Sequence, residues 1–183
     1  MPWALTHIFW GDERCVPPVS AESNYSRVRE LLLSHVPVPI GNIHRIPAEL
    51  GGKAAAEVYQ REMEDYFLSP GENAGYFPVF DCMTLGVGLD GHIASLFPGS
   101  KALEETTRWV VPSTAPEGIS PRERVTLTLP LINRAKRLLF LVSGAGKRDM
   151  LREVFDASRR GGRLPVSRVK PRGECVFTMD FTL

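Results

Sequence analysis

A histidine and an aspartate stand two positions apart in a glycine-rich segment, residues 85–98, which carries the strongest chemical signal in the chain. Imidazole exchanges protons near neutral pH, and a neighbouring carboxylate can orient the ring or favour its charged form. We therefore expect His92 to act as a general base with Asp90 as its partner. Backbone N–H groups of a short helix predicted after the loop would face a developing oxyanion.

The glycines of this segment allow the backbone to bend sharply and approach a ligand, and on this ground Gly88 is assigned to substrate binding. Together they also satisfy the G-x-G-x-x-G pattern of dinucleotide-binding loops. A Rossmann unit needs a full helix after the third glycine, whereas Pro98 and Gly99 interrupt the pattern shortly after Gly91. Dinucleotide binding is therefore disfavoured.

A second glycine-rich segment, residues 143–148, resembles the tail of a P-loop. Leu141 stands where such a loop has its first glycine, and Arg148 replaces the serine or threonine that binds Mg²⁺. Nucleoside triphosphate binding is therefore disfavoured. Lys147 instead falls at the start of a predicted helix, where an anion such as a sugar phosphate would also gain backbone N–H donors.

Charged side chains also follow a β-type run near the N-terminus, residues 6–10, with Asp12 and Arg14 on the predicted outgoing loop. Farther along, Arg124 stands at the entrance of a strand of alternating pattern. Metal binding by Asp12, Glu13, Asp90 and His92 is conceivable, but their spacing matches no recognised metal motif. The sequence therefore predicts no metal and no cofactor.

The order of the elements predicts an α/β fold. Strands are expected near residues 6–10, 80–87, 125–129, 138–142 and 175–181, and helices over 27–33, 52–67 and after residue 146. Strands separated by helices favour a mostly parallel, Rossmann-like sheet flanked by helices, with sites at the carboxyl ends of strands. The length, 183 residues, suits one domain spanning residues 1–183.

Composition limits the choice of partners. Lys and Arg total 22 against 21 for Asp and Glu, so no overall field favours nucleic acid or an anionic membrane. No apolar run is long enough to span a bilayer. The three cysteines lack zinc or disulfide spacing, which suits free thiols in a reducing compartment, and we expect a cytoplasmic protein. The sequence leaves the oligomeric state open.

Several motifs taken together resemble the 6-phosphogluconolactonase family, which is related to the glucosamine-6-phosphate deaminases. The matching stretches, in chain order, are FWGDERCVP at 9–17, ESNY at 22–25, GVGLDGHIASLFP at 86–98, RVTLTLP at 124–130 and GAGK at 144–147. The resemblance implies a Rossmann-like α/β fold and metal-free hydrolysis of 6-phosphogluconolactone to 6-phosphogluconate in the pentose phosphate pathway. The expected partner is thus a small phosphorylated sugar lactone.

The resemblance also implies roles for individual positions. His92 matches the base of the family's Asp-Gly-His motif, Asp90 and Arg14 match positions that line the reacting end, and Asp12 belongs to the substrate-binding set. Arg124 and Lys147 match positions that hold the phosphate. We expect the ring of His92 to share one cleft with these three cationic side chains.

Two departures from the family pattern bear on function. Family members begin with a strand and helix joined by a Ser-Gly-Gly loop that cradles the phosphate; this sequence has no such loop, so we expect a fold incomplete at its N-terminus. Deaminases carry an extra acid in a Phe-Asn-Glu-Pro stretch, whereas residues 95–98 here are Ser-Leu-Phe-Pro. The lactonase is therefore favoured, with a deaminase or isomerase and a non-catalytic sugar-phosphate-binding protein as alternatives.

Overall fold

The structure, a computed structural model, describes residues 1–68, 76–157 and 162–183. In chain order the strands are β1 Ile8–Phe9, β2 Asp12–Arg14, β3 Ile43–His44, β4 Met83–Leu85, β5 Val110–Thr114, β6 Glu123–Leu127, β7 Arg137–Val142 and β8 Glu174–Met179. The α-helices are α1 Asn24–Leu31, α2 Gly52–Phe67, α3 Leu129–Ile132 and α4 Arg148–Ala157. No described helix is long and apolar enough to cross a membrane.

The chain divides into two compact units. The first comprises Met1–Phe67 and Val110–Thr126, and the second comprises Leu68–Trp109 and Leu127–Leu183. A single domain over residues 1–183 stays a prediction.

The first unit contains two small sheets and the helix α2, which packs against strand β5. Strands β1 and β3 pair in parallel, and β2, β6 and β5 form a second sheet in which β2 and β6 are antiparallel. Of the apolar stripe predicted for α2, Ala55, Tyr59 and Met63 are fully inaccessible, whereas Val58 and Tyr66 are 43% exposed. The Tyr59 hydroxyl accepts a hydrogen bond from the N–H of Trp10 at 2.9 Å and donates to its carbonyl at 3.2 Å. Helix α2 thereby fixes the backbone just before β2.

The second unit is built on a parallel sheet with the order β4, β7, β8. Its central strand β7 buries Leu138, Phe140 and Val142, and α4 buries Leu151 and Val154. The carboxyl ends of neighbouring parallel strands lie at the same edge of a sheet. The loops after β4 and β7, which carry His92 and Lys147, therefore leave this sheet from one edge.

The predicted α/β class with mostly parallel strands is confirmed, with two corrections of local structure. Asp12–Arg14, predicted as a loop, is strand β2, because its backbone pairs with β6. That pairing is antiparallel, whereas β1–β3, β4–β7 and β7–β8 are parallel. The short helix expected after Gly91 is also wrong, because residues 88–99 form turns with one isolated bridge between Ile93 and Leu96.

Candidate active site

The carboxylate of Asp90 is hydrogen-bonded to the ring of His92. Oδ1 of Asp90 lies 2.5 Å from Nδ1 of His92 and accepts the backbone N–H of His92 at 3.2 Å. Since an ionised carboxylate can only accept, the ring proton belongs on Nδ1 and the lone pair on Nε2. The ring of Phe97 packs 4.7 Å from the imidazole. The His92 side chain is 28% exposed, so Nε2 can meet a water molecule.

Gly88 makes room for this pair. A Cβ atom at Gly88 would overlap the imidazole of His92 and lie 2.7 Å from Oδ1 of Asp90. The N–H of Gly88 donates to the carbonyl of His92 at 2.9 Å, which closes the loop. Gly91 adopts a φ of +75° and lies against Leu164, so it too requires glycine. The substrate-binding assignment of Gly88 stays a prediction, and its N–H already has an acceptor.

Lys147 ends a short 3₁₀ turn, Ala145–Lys147, directly before α4. The loop ahead of it is tied to Asp180, whose carboxylate accepts the Ser143 hydroxyl at 2.8 Å and the Gly144 N–H at 3.0 Å. The Ser143 hydroxyl, then the Gly144 N–H, and more weakly the charge of Lys147 lower the pKa of Asp180. The carboxylate of Asp180 therefore already accepts two of the hydrogen-bond donors, the Ser143 hydroxyl and the Gly144 N–H, in the loop that was predicted to face an anion.

In the other unit, Arg14 and Arg124 are directly opposed in the β2–β6 ladder. Opposed residues of an antiparallel pair project from the same face of the sheet, so two cations stand side by side. Arg124 is buried, with 7% of its surface exposed, and its Nε donates to the carbonyl of Pro121 at 2.7 Å. Burial first, and then the charge of Arg14, lower the pKa of Arg124. An anion between such groups would relieve their repulsion.

Asn24, the first residue of α1, connects two of the predicted site residues. Its Oδ1 accepts Nη1 of Arg14 at 2.6 Å, and its Nδ2 donates to the carbonyl of Asp12 at 3.0 Å and to Oδ1 of Asp12 at 3.2 Å. Nη1 of Arg14 also donates to the carbonyl of Glu22 at 2.8 Å. The amide thus fixes the carboxylate and the guanidinium relative to each other.

Glu13 supports this arrangement from the opposite face of β2. It is 2% exposed, and its carboxylate accepts four hydrogen bonds of 2.7 to 2.9 Å. The donors are the N–H groups of Arg14, Asn24 and Tyr25 and the hydroxyl of Ser23. A buried carboxylate with all these donors is stable without a metal, so Glu13 anchors the start of α1 beside β2.

The predicted site residues are divided between the two units. Asp90, Gly88, His92 and Lys147 belong to the second unit, and Asp12, Arg14 and Arg124 belong to the first. One cleft for both groups stays a prediction. Within the described ranges, no group of three or more His, Cys, Asp or Glu side chains is placed to hold a metal ion.

Three supporting roles were missed from the sequence, those of Glu13, Asn24 and Asp180; Glu13 was considered only as a metal ligand. The motif Glu-Ser-Asn-Tyr at 22–25 was counted in the family resemblance, and Ser23 and Asn24 were expected to cap a helix, but no contact of Asn24 with Asp12 or Arg14 was predicted. Ser23 does cap α1, because its hydroxyl accepts the Ser26 N–H at 3.1 Å. No local signal links Asp180 to Gly144, 36 positions earlier.

Comparison with known proteins places these residues in a family context. The family described as glucosamine-6-phosphate isomerases/6-phosphogluconolactonase matches residues 1–178. The chain belongs to this family. It is 38% identical to the 6-phosphogluconolactonase of Synechocystis sp. over 98% of this chain and 72% of that protein.

Two further relatives agree with this assignment. The chain is 38% identical to the chloroplastic 6-phosphogluconolactonase 3 of Arabidopsis thaliana, over 97% of this chain and 55% of that protein. Among solved structures, the 6-phosphogluconolactonase of Thermotoga maritima superposes with a TM-score of 0.81 at 32% identity, over 98% of this chain and 74% of that one. The chain thus spans between half and three quarters of these family members.

Proposed function

We propose that this chain hydrolyses 6-phospho-D-glucono-1,5-lactone to 6-phospho-D-gluconate, the pentose phosphate pathway reaction for which its relatives are named. The single observation that supports this most is the Asp90–His92 pair, with 2.5 Å between carboxylate and ring nitrogen, in a chain of this family. A lactone needs one base and a polarised carbonyl to open.

His92 takes a proton through Nε2 from a water molecule as the water oxygen bonds to the lactone carbonyl carbon. The tetrahedral intermediate then collapses, the ring C–O bond breaks, and the same Nε2 returns the proton to the departing oxygen. Asp90 holds Nδ1–H, so the ring keeps one tautomer and its positive charge is stabilised while it carries the proton. No metal or cofactor enters this sequence of steps.

The remaining residues stabilise negative charge and position the substrate. Arg14 stabilises the oxyanion, and Asp12 contributes to substrate binding. Arg124 and Lys147 hold the phosphate. Because the phosphate is bound at the far end of the substrate, it fixes the position of the reacting carbon. The Arg14–Arg124 ladder pair supports a ligand that carries negative charge at two places, the developing oxyanion and the phosphate.

The runner-up function is that of a glucosamine-6-phosphate deaminase or sugar-phosphate isomerase, the other activity in the family's description. Ring opening with isomerisation needs a further acid, and residues 95–98 supply no carboxylate. A protein that binds sugar phosphates without turnover is the third possibility. The cytoplasmic location also stays a prediction, since the Arabidopsis relative is named chloroplastic.

One set of assays separates these functions. The purified chain is given freshly made 6-phosphogluconolactone, and 6-phosphogluconate is measured through a coupled dehydrogenase, with spontaneous opening subtracted. Glucosamine 6-phosphate is given in parallel, and ammonia is measured. Lactone opening well above background without ammonia is the expected result. Ammonia release, or binding of 6-phosphogluconate with no turnover of the lactone, would refute the proposal.

A further inference from the structure

A basic cavity lies at the opposite edge of the parallel sheet from the loops that carry His92 and Lys147. Its volume is about 230 Å³, and its lining residues are Val79, Arg134, Ala135, Lys136, Arg172 and Gly173. These residues precede β4, β7 and β8, whereas the candidate active-site loops follow β4 and β7. Strand β7 has six residues, so roughly 20 Å of sheet separates the two edges.

The walls of this cavity are tied together through the backbone. The N–H of Lys136 donates to the carbonyl of Phe80 at 2.9 Å, and the N–H of Glu174 donates to the carbonyl of Lys136 at 2.9 Å. A Cβ atom at Gly173 would overlap that carbonyl, so only glycine permits the approach. The cavity is therefore formed by the fold of the sheet edge and not by long side chains alone.

The charges around the cavity are not balanced. Lys136 pairs with Asp81 at 2.7 Å, and Glu174 is engaged by Arg137 at 3.1 Å. Among the residues that the structure describes, neither Arg134 nor Arg172 has an acidic partner within 4 Å. Two guanidinium groups thus line one cavity without a counter-charge from the described part of the chain.

Arg134 also has an unmet hydrogen bond. Its Nε is buried and has no acceptor within the described structure, although its guanidinium lies 5.5 Å from the ring of Tyr76. An atom with almost no accessible surface cannot meet a ligand in the cavity, so only the terminal nitrogens of this guanidinium are available to a bound group. Guanidinium groups present a planar set of donors that matches the oxygens of a phosphate.

We propose that this cavity is a second anion site, which binds a phosphate group, either free or carried on a small metabolite. Arg134 and Arg172 supply the guanidinium donors, and Lys136 adds charge shared with Asp81. The site is separate from the one proposed for the lactone phosphate and does not depend on the lactonase function.

Amide spectra resolve the two sites. Inorganic phosphate is titrated into the ¹⁵N-labelled chain at constant ionic strength, and glucose 6-phosphate is titrated in parallel to compare a carried phosphate with the free ion. We expect saturable shifts of the amides of residues 134–136 and 172–173, distinct from any shifts at 144–147. Shifts confined to 144–147, or shifts at the cavity that do not saturate, would overturn the proposal.

Substitutions then test the donors. Arg172→Gln and Arg134→Gln should each weaken phosphate binding at the cavity by about tenfold or more, because each removes charged hydrogen bonds. Arg61→Gln is the matched control, since it removes the same charge from an exposed residue of α2 that does not line the cavity and forms no ion pair with a described carboxylate. An equal loss in Arg61→Gln would mean general attraction and no site. If Arg134→Gln does not fold, the comparison of Arg172→Gln with Arg61→Gln still tests the proposal.

Discussion

Arg14 and Arg124 lie directly opposite each other in the β2–β6 ladder, so two guanidinium groups share one face of an antiparallel pair. Like charges in opposed positions destabilise a sheet unless an anion compensates them. Burial of Arg124 adds to the cost, and both effects lower the pKa of Arg124. The charges of Asp12 and Glu13 offset part of this cost, and the proposed anionic ligand would offset more.

The lowered pKa gives a pH-dependent prediction for Arg124→Lys. A lysine ordinarily titrates near pH 10.4, and the same burial and the same neighbour should lower that value. A base with a lowered pKa loses its charge as pH rises. As pH is raised from 7, the Kd for 6-phosphogluconate should therefore begin to rise below about pH 10.4 in the variant and stay nearly flat in the wild type, whose guanidinium remains charged.

Calorimetry over this pH range measures the effect, and the exposed Arg122→Lys provides the control because it should follow the wild type. Parallel pH curves for Arg124→Lys and the wild type would contradict an anion-binding role for Arg124.

Gly88→Ala tests the loop geometry of the candidate base. The added methyl group would overlap the ring of His92, so the ring must move away from Asp90. A misplacement of about 1 Å can cost up to about 100-fold in rate, and we expect kcat to fall by about 10- to 100-fold. Gly86→Ala is the matched control, since a Cβ there meets nothing within 4 Å. Equal activities of the two variants would refute this account of Gly88.

Asn24→Ala tests whether the amide between Asp12 and Arg14 positions both groups. We expect kcat/KM to fall by about tenfold, because neither side chain would keep its orientation. Ser23→Ala serves as the comparison, since it removes the cap of α1 and one of the four hydrogen bonds to Glu13 but no contact of Asp12 or Arg14. Both variants should lose similar thermal stability, and only Asn24→Ala should lose activity. A matching loss of activity in Ser23→Ala would assign Asn24 a purely structural role.

The cysteine beside Arg14 should be unreactive in the folded protein. Burial first, and then the charges of Glu123 and Glu13, raise the pKa of Cys15 to about 11. Only the thiolate reacts with iodoacetamide, so a thiol with a raised pKa reacts slowly. Cys82, in contrast, is exposed to the reagent. Peptide mapping after alkylation at pH 8 should show label on Cys82 first and on Cys15 only after denaturation. Similar rates at both thiols would contradict this environment for Cys15.

The parts of the site that were predictable from the sequence are local. Asp90 and His92 are two residues apart, so their contact follows from the bend that the glycines allow. The stripe of Ala55, Tyr59 and Met63 follows from the helical period alone. The prediction of the reaction came from the family motifs, since no pattern of charge or spacing by itself identifies a lactone as the substrate.

The parts that were missed are those set by distant pairing. Asp12 has the signature of a loop residue, and its strand exists because its backbone meets Thr126, 114 positions later. The same pairing places Arg14 against Arg124. Glu13 resembles a solvated charge in the sequence, yet its burial depends on donors from α1 that only the folded chain brings to it.

The central claim is that Nε2 of His92 moves the proton, and His92→Ala tests it most directly. With spontaneous opening of the lactone subtracted, kcat should fall by about 10²- to 10⁴-fold while the Kd for 6-phosphogluconate changes little. His35→Ala, which removes an exposed imidazole elsewhere, should match the wild type. Turnover of His92→Ala at the wild-type rate would contradict the mechanism.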